Sequence, residues 1–125
     1  MKSLLLYRLV KRKGRGFVAT LVRYRRVEIR ELAQRLSDTS HMLRESMALA
    51  MLTVFPQVLK EELMKNNSVH IDGLGTFSLH MQSETVDSPH EFRMKAHVKG
   101  FEIRFRADQK LLPKPVDDVQ LKKTD

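Results

Sequence analysis

The alternation of apolar and polar positions predicts strands toward both ends of the chain and helices between them. Residues 3–10 and 17–24 are short and rich in β-branched and aromatic residues, and a linker with two glycines separates them. We expect two strands or an extended arm there. Apolar residues then recur at helical spacing, which predicts an amphipathic helix over about residues 27–37 and a longer helix from about His41 to Lys65.

The longer helix is apolar on nearly its whole circumference. Of the 18 residues from Met42 to Leu59, 12 are apolar. Such a helix must be buried on most sides, and a second copy of the chain, related by a two-fold axis, could cover it. Pro56 interrupts the pattern and predicts a kink or a break.

From residue 69 onward the apolar residues recur every second position. Val69 and Ile71 begin this pattern, Gly73-Leu74-Gly75 predicts a bend, and strand patterns follow over residues 76–82, 92–99 and 101–106. The polar side of the last two strands carries five cations against one glutamate, and we expect it to bind phosphate groups: Arg93, Lys95, Lys99, Arg104 and Arg106. Residues 113–125 are expected to form a mobile tail.

The charge of the chain indicates a polyanionic partner. Its 125 residues contain 23 Lys and Arg against 15 Asp and Glu, a formal net charge of +8. Residues 1–26 hold nine of these cations and no acidic residue. Four of the nine lie in the glycine-containing linker and could clamp a nucleic-acid backbone: Lys11, Arg12, Lys13 and Arg15.

Several classes of protein find no support in the sequence. The chain has no cysteine, which excludes disulfides, thiolate zinc sites and a cysteine nucleophile and fits a reducing compartment. No catalytic motif or histidine spacing typical of a metal site occurs, so we expect no catalytic residue, metal, cofactor or small-molecule substrate. The longest uncharged stretch, Ser46–Leu59, is too short to span a bilayer, and a cytoplasmic protein is expected.

The order of these elements resembles the HU/IHF family of bacterial histone-like DNA-binding proteins over about residues 27–112. The most specific piece is Gly73-Leu74-Gly75-Thr76-Phe77, which is similar to that family's Gly-Phe-Gly-Asn/Thr-Phe signature. Phe105 falls close to the family's spacing from this signature. Residues 1–26 resemble the N-terminal extension of longer HU-like variants.

The resemblance implies an α+β fold in an intertwined homodimer, or a heterodimer with another HU-like chain. A helical base would carry β-ribbon arms that reach around the minor groove of double-stranded DNA and bend it, with weak sequence specificity and a place in the nucleoid. A proline at each ribbon tip wedges between base pairs in that family, and Pro89 lies close to the matching position.

The sequence around Pro89 supports a second hypothesis. Residues 83–91 contain three acidic residues and no Lys or Arg, whereas the tips of family members are basic. Negative charge there would repel phosphates. The chain could therefore be an HU-like scaffold that serves as a protein-interaction or assembly module without bending DNA. RNA binding is a third alternative, although stacking aromatics are scarce on the polar strand faces.

Overall fold

The computed structural model describes residues 2–115 and 117–124, and it shows the mixed α+β fold that the sequence predicts. The chain forms two compact units. The terminal unit combines Met1–Glu28 with Leu112–Asp125, and the central unit is Ile29–Leu111. In chain order the elements are β1 (Ser3–Lys11), β2 (Phe17–Leu21), α1 (Ile29–Thr39), α2 (Glu45–Met64), β3 (Val69–Ile71), β4 (Gly75–Ser83), a 3-10 turn (Pro89–Glu91), α3 (Met94–His97), β5 (Val98–Ala107) and β6 (Val119–Lys123).

The terminal unit is a three-stranded sheet in the order β2-β1-β6. Of the two predicted alternatives, two strands or an extended arm, the structure has two strands, and β1 pairs antiparallel with β2. The turn between them is closed by the Arg12 amide, which donates to the Gly16 carbonyl at 2.9 Å. β6 lies parallel to β1, with Ser3 opposite Val119. Val119–Lys123 thus form a paired strand, and the expectation of a mobile tail is wrong for these residues.

The helices of the central unit pack as a hairpin whose buried core is small. Among the described residues, the buried apolar side chains are Ala33 of α1 and Ala48 and Leu63 of α2. The sequence predicts a kink or a break at Pro56. α2 continues through Pro56, so of these two alternatives the break does not occur. The helix survives a missing amide because its other backbone hydrogen bonds and its packing against α1 hold it.

A second apolar stripe on α2 faces solvent. Met47, Met51, Val54 and Val58 follow each other at the spacing of one helix face, and each is between 47% and 62% exposed. The nearly all-round apolar pattern therefore separates into one stripe that packs within the chain and one that the described residues leave about half exposed.

The central sheet is antiparallel, with the strand order β3-β4-β5. Phe77 and Phe105 lie opposite each other on its apolar face, with ring centroids 4.7 Å apart. Gly75 begins β4 at φ +151°, and a side chain there would fall on the Arg106 carbonyl and within 2.8 Å of the Phe105 ring. The predicted bend is thus present, and its second glycine fills a place where only hydrogen fits.

The strand predicted over residues 92–99 is largely absent. Phe92 ends the 3-10 turn, and α3 occupies Met94–His97 before β5 begins at Val98. Local bonds replace the strand ladder: the Arg93 amide donates to His97 Nδ1 at 2.7 Å, and the Glu84 amide donates to the His97 carbonyl at 2.7 Å. The period-two pattern of this segment is therefore not a strand signal.

Candidate nucleic-acid interface

The polar face of the central sheet carries two of the predicted cations side by side. Arg104 lies opposite Ser78 and Arg106 lies opposite Thr76. Because every second residue of a strand points to the same face, the two arginines share the polar face of the sheet. Both arginines are exposed. This part of the predicted cationic face is present as expected.

Lys99 lies at a β-bulge. Gln82 pairs with Gly100 and Ser83 pairs with Val98, so Lys99 is the extra residue on β5. The bulge returns Val98 to the apolar side, where it lines a hollow with Met81 and Phe101. The apolar face thereby continues past Gly100.

The hairpin of β4 and β5, with the segment that joins them, is called the ribbon below. Acidic residues pair with two of its cations, a feature that the sequence pattern did not predict. Arg104 Nε lies 2.8 Å from Glu102 Oε1, and Lys99 Nζ lies 3.9 Å from Glu84 Oε1. These pairs are partly exposed and stabilise the fold little, but each carboxylate offsets the attraction of its cation for phosphate.

The remaining predicted residues of the ribbon lie at its tip and not on a strand face. Arg93 precedes α3 and its Nη1 donates to the carbonyls of His90 and Phe92 at 3.0 and 3.1 Å. Lys95 lies within α3 and is exposed. Pro89 starts the 3-10 turn, where its missing amide costs nothing, and Ser88 caps that turn. The five cations are therefore not one continuous strand face.

The four predicted cations of the terminal unit cluster at the turn of one hairpin. Lys11 ends β1, and Arg12, Lys13 and Arg15 occupy the turn to β2, where Gly14 and Gly16 have φ of +82° and +45°. All four side chains are exposed. Among the described residues, the structure gives none of the four side chains a hydrogen bond or ion pair.

Two groups of hydrogen bonds beside the bend at Gly73 and Gly75 involve residues that the sequence did not predict as site residues. His70 forms hydrogen bonds with Thr76 Oγ1 at 2.8 Å and with Asp72 Oδ1 at 3.0 Å. The Gly73 amide donates to Asp108 Oδ2 at 2.7 Å, and the Asp108 amide donates to the Leu74 carbonyl at 3.0 Å. The spacing of His70 and Asp72 signals the first contact, because they share a strand face. No pattern in the neighbouring sequence predicts the contact between Gly73 and Asp108, which are 35 positions apart.

The described residues form neither a metal site nor a membrane-spanning helix. No cluster of three or more His, Asp or Glu residues there is arranged to hold a metal ion. No helix in the same part of the chain has the length and apolar character needed to cross a membrane.

Comparison with solved structures reveals a similar fold. A candidate bacterial DNA-binding protein from Bacteroides vulgatus has a crystal structure that superposes with a TM-score of 0.70 at 16% sequence identity. The alignment covers 98% of this chain and 49% of that one, so the chain spans about half the length of its structural neighbour. At this identity the likeness concerns the fold alone.

Comparison with families of sequences is more specific. No curated protein matches the chain. Residues 5–123 match the family described as an HU domain fused to a winged helix-turn-helix (wHTH), immunoglobulin (Ig) or glycine-rich motif, and this range includes both units. The chain therefore belongs to this HU-HIG family, in agreement with the Gly73-to-Phe77 bend and the ribbon that follows it.

Proposed function

We propose that the chain is a non-enzymatic, HU-like protein that binds double-stranded DNA with little sequence specificity. The match to the HU-HIG family over residues 5–123 carries this proposal. Exposed cations on both units support it, because phosphate contacts need only positive charge in the right place. The protein would then act in the cytoplasm as part of the nucleoid, and an architectural role that bends DNA belongs to the same proposal.

The DNA-contacting residues that we propose lie on the ribbon and on the terminal hairpin. On the ribbon they are Arg93, Lys95, Lys99, Arg104 and Arg106, and on the hairpin they are Lys11, Arg12, Lys13 and Arg15. Pro89 is the candidate for insertion between base pairs. Its position at the start of a 3-10 turn holds it in one conformation.

A dimer is the second part of the proposal. The exposed stripe of Met47, Met51, Val54 and Val58 on α2 would be covered by the same stripe of a second copy, or of another HU-like chain. Transfer of such a stripe from water to an apolar interface is favourable in proportion to the area buried.

Fluorescence anisotropy with several unrelated duplexes, titrated from low to moderate salt, tests DNA binding. We expect similar affinities for all duplexes and a steep, linear fall of log affinity with log salt concentration. Absence of binding even at low salt would refute the proposal. A fluorescence energy-transfer measurement on end-labelled duplexes then distinguishes bending from binding without bending.

A specific observation also favours the alternative of an assembly module. The ribbon tip is capped by local hydrogen bonds, it carries Glu84, Asp87 and Glu91, and Arg93 is engaged by backbone carbonyls. Replacement of Arg93, Lys95, Arg104 and Arg106 by Glu separates the two functions. DNA binding weakens if these residues contact phosphates, and it does not change at all if the ribbon serves only another protein.

A further inference from the structure

The positive charge of the chain is unevenly divided between its two units. The terminal unit contains 12 Lys and Arg against 4 Asp and Glu, whereas the central unit contains 11 of each. The terminal unit therefore carries the whole formal net charge of +8, and the net charge of the central unit is zero. A ribbon that belongs to a neutral unit attracts a polyanion only through local patches.

The cations of the two units also differ in how free they are to contact a phosphate. On the ribbon, carboxylates pair with Lys99 and Arg104, and backbone carbonyls hold Arg93. At the turn of the terminal hairpin, the described residues provide no such partner for the side chains of Lys11, Arg12, Lys13 or Arg15. A phosphate that contacts the hairpin therefore displaces no carboxylate of the described residues.

An aromatic side chain lies beside this basic turn. Phe17 is 68% exposed, it pairs across the hairpin with Lys11, and it lines a hollow with Arg12, Lys13 and Arg15. A large apolar ring that is exposed to water is unfavourable in the free protein. Its place among cations allows it to pack against a sugar or a base of a bound nucleic acid. Apolar wedges of this kind accompany backbone contacts in many minor-groove binders.

We infer that the turn of the β1–β2 hairpin, and not the β4–β5 ribbon, is the principal DNA-contacting element of the chain, with Phe17 as its apolar contact. This inference rests on the proposed function, because it assigns the strongest contact of the same DNA-binding activity. The four hairpin cations bind phosphates, and the Phe17 ring packs against the nucleotide between them.

Two matched charge variants of the full chain test the assignment of the phosphate contacts. The hairpin variant carries Gln at Lys11, Arg12, Lys13 and Arg15, and the ribbon variant carries Gln at Lys95, Lys99, Arg104 and Arg106. Both lose four positive charges. We expect the hairpin variant to bind a mixed-sequence duplex about 100-fold more weakly and its log–log salt slope to fall by about 3 to 4. The ribbon variant should lose about tenfold or less.

The outcome separates this inference from the proposed function. An equal or greater loss in the ribbon variant overturns the inference while DNA binding itself stands. If the wild-type chain binds no duplex at low salt, the proposed function fails first. Circular dichroism of both variants shows that the comparison is between folded proteins.

Phe17→Ala tests the apolar contact. Affinity for DNA should fall by about tenfold with an unchanged salt slope, because an uncharged ring that stacks on a nucleotide releases no counterions from the DNA. Leu21→Ala is the matched control, since Leu21 is 60% exposed and lies on the same sheet face at the far end of β2. An equal loss in both variants, or no loss in Phe17→Ala, would overturn the role of Phe17.

Discussion

At the scale of single residues, the two glycines of the bend have different physical roles. Gly73 has φ +82° and open space around it, so its replacement strains only the backbone. Gly75 has φ +151° and is enclosed by the Arg106 carbonyl and the Phe105 ring. The sequence predicts the bend from the two glycines, but the close approach at Gly75 comes from β5, which lies about 30 residues farther along the chain.

This difference predicts an order of stability. Gly73→Ala should lower the free energy of unfolding by about 1 kcal/mol, the cost of a left-handed backbone for alanine. Gly75→Ala should cost about 3 kcal/mol or more, because the added methyl group displaces the Arg106 carbonyl and the Phe105 ring. Urea denaturation of both variants at one protein concentration measures the two costs, and equal costs would contradict the different roles of Gly73 and Gly75.

Asp108, which follows β5, forms hydrogen bonds with Gly73 and Leu74 of the bend. Asp108→Ala removes the acceptor of the Gly73 amide and should lower the free energy of unfolding by about 1 kcal/mol. Asp108→Asn retains a side-chain oxygen and should lose less. The same urea titration measures both variants, and a stability of Asp108→Ala equal to that of the wild type would refute the role. The sequence does not reveal this contact, because its partners are 35 residues apart.

At the scale of elements, the sequence predicts the segments whose periodicity agrees with their local bonding. α1, α2, β3 and β4 lie where the pattern indicates, because each combines the right period with breaking residues at its ends. The segment from Phe92 to His97 has a strand-like period but folds through hydrogen bonds to His97. β6 was unpredictable because its partner, β1, is more than 100 residues away in sequence.

Pro56 gives a prediction at the same scale. It removes one amide from the backbone ladder of α2, leaving the Leu52 carbonyl without its helical donor. Pro56→Ala restores this bond and should raise the free energy of unfolding by about 3 kcal/mol. Thermal unfolding followed by circular dichroism checks this. A lower melting temperature would mean that the fold depends on the proline at this position.

At the scale of the whole molecule, the chain exposes more surface than a self-sufficient protein of its size. Its accessible surface is 11622 Å². Two separate compact globules of the sizes of its two units would together expose only about 8,200 Å² by the scaling of surface with mass. The excess, about 3,400 Å² per chain, is more than the roughly 1,000 to 2,500 Å² that each partner of an obligate dimer buries. The apolar circumference of α2 is the sequence feature from which a partner is predicted, but the sequence does not indicate which stripe stays exposed.

The exposed stripe of α2 predicts where association can be broken. Met51→Glu places a charge within the stripe and should weaken self-association by about 100-fold or more, since an unpaired carboxylate would be buried. Gln57→Glu adds the same charge to an exposed position outside the stripe and should leave association unchanged. Sedimentation equilibrium over a range of concentrations measures both, and equal effects would contradict the proposed dimer.

The mass in solution, measured by light scattering with and without a short duplex at low salt, tests the central proposal most directly. We expect a free species of twice the 14.6 kDa chain mass, and with duplex a complex that contains two chains and one DNA molecule. A stable single chain whose mass does not change when duplex is added would contradict both the dimer and the DNA-binding function.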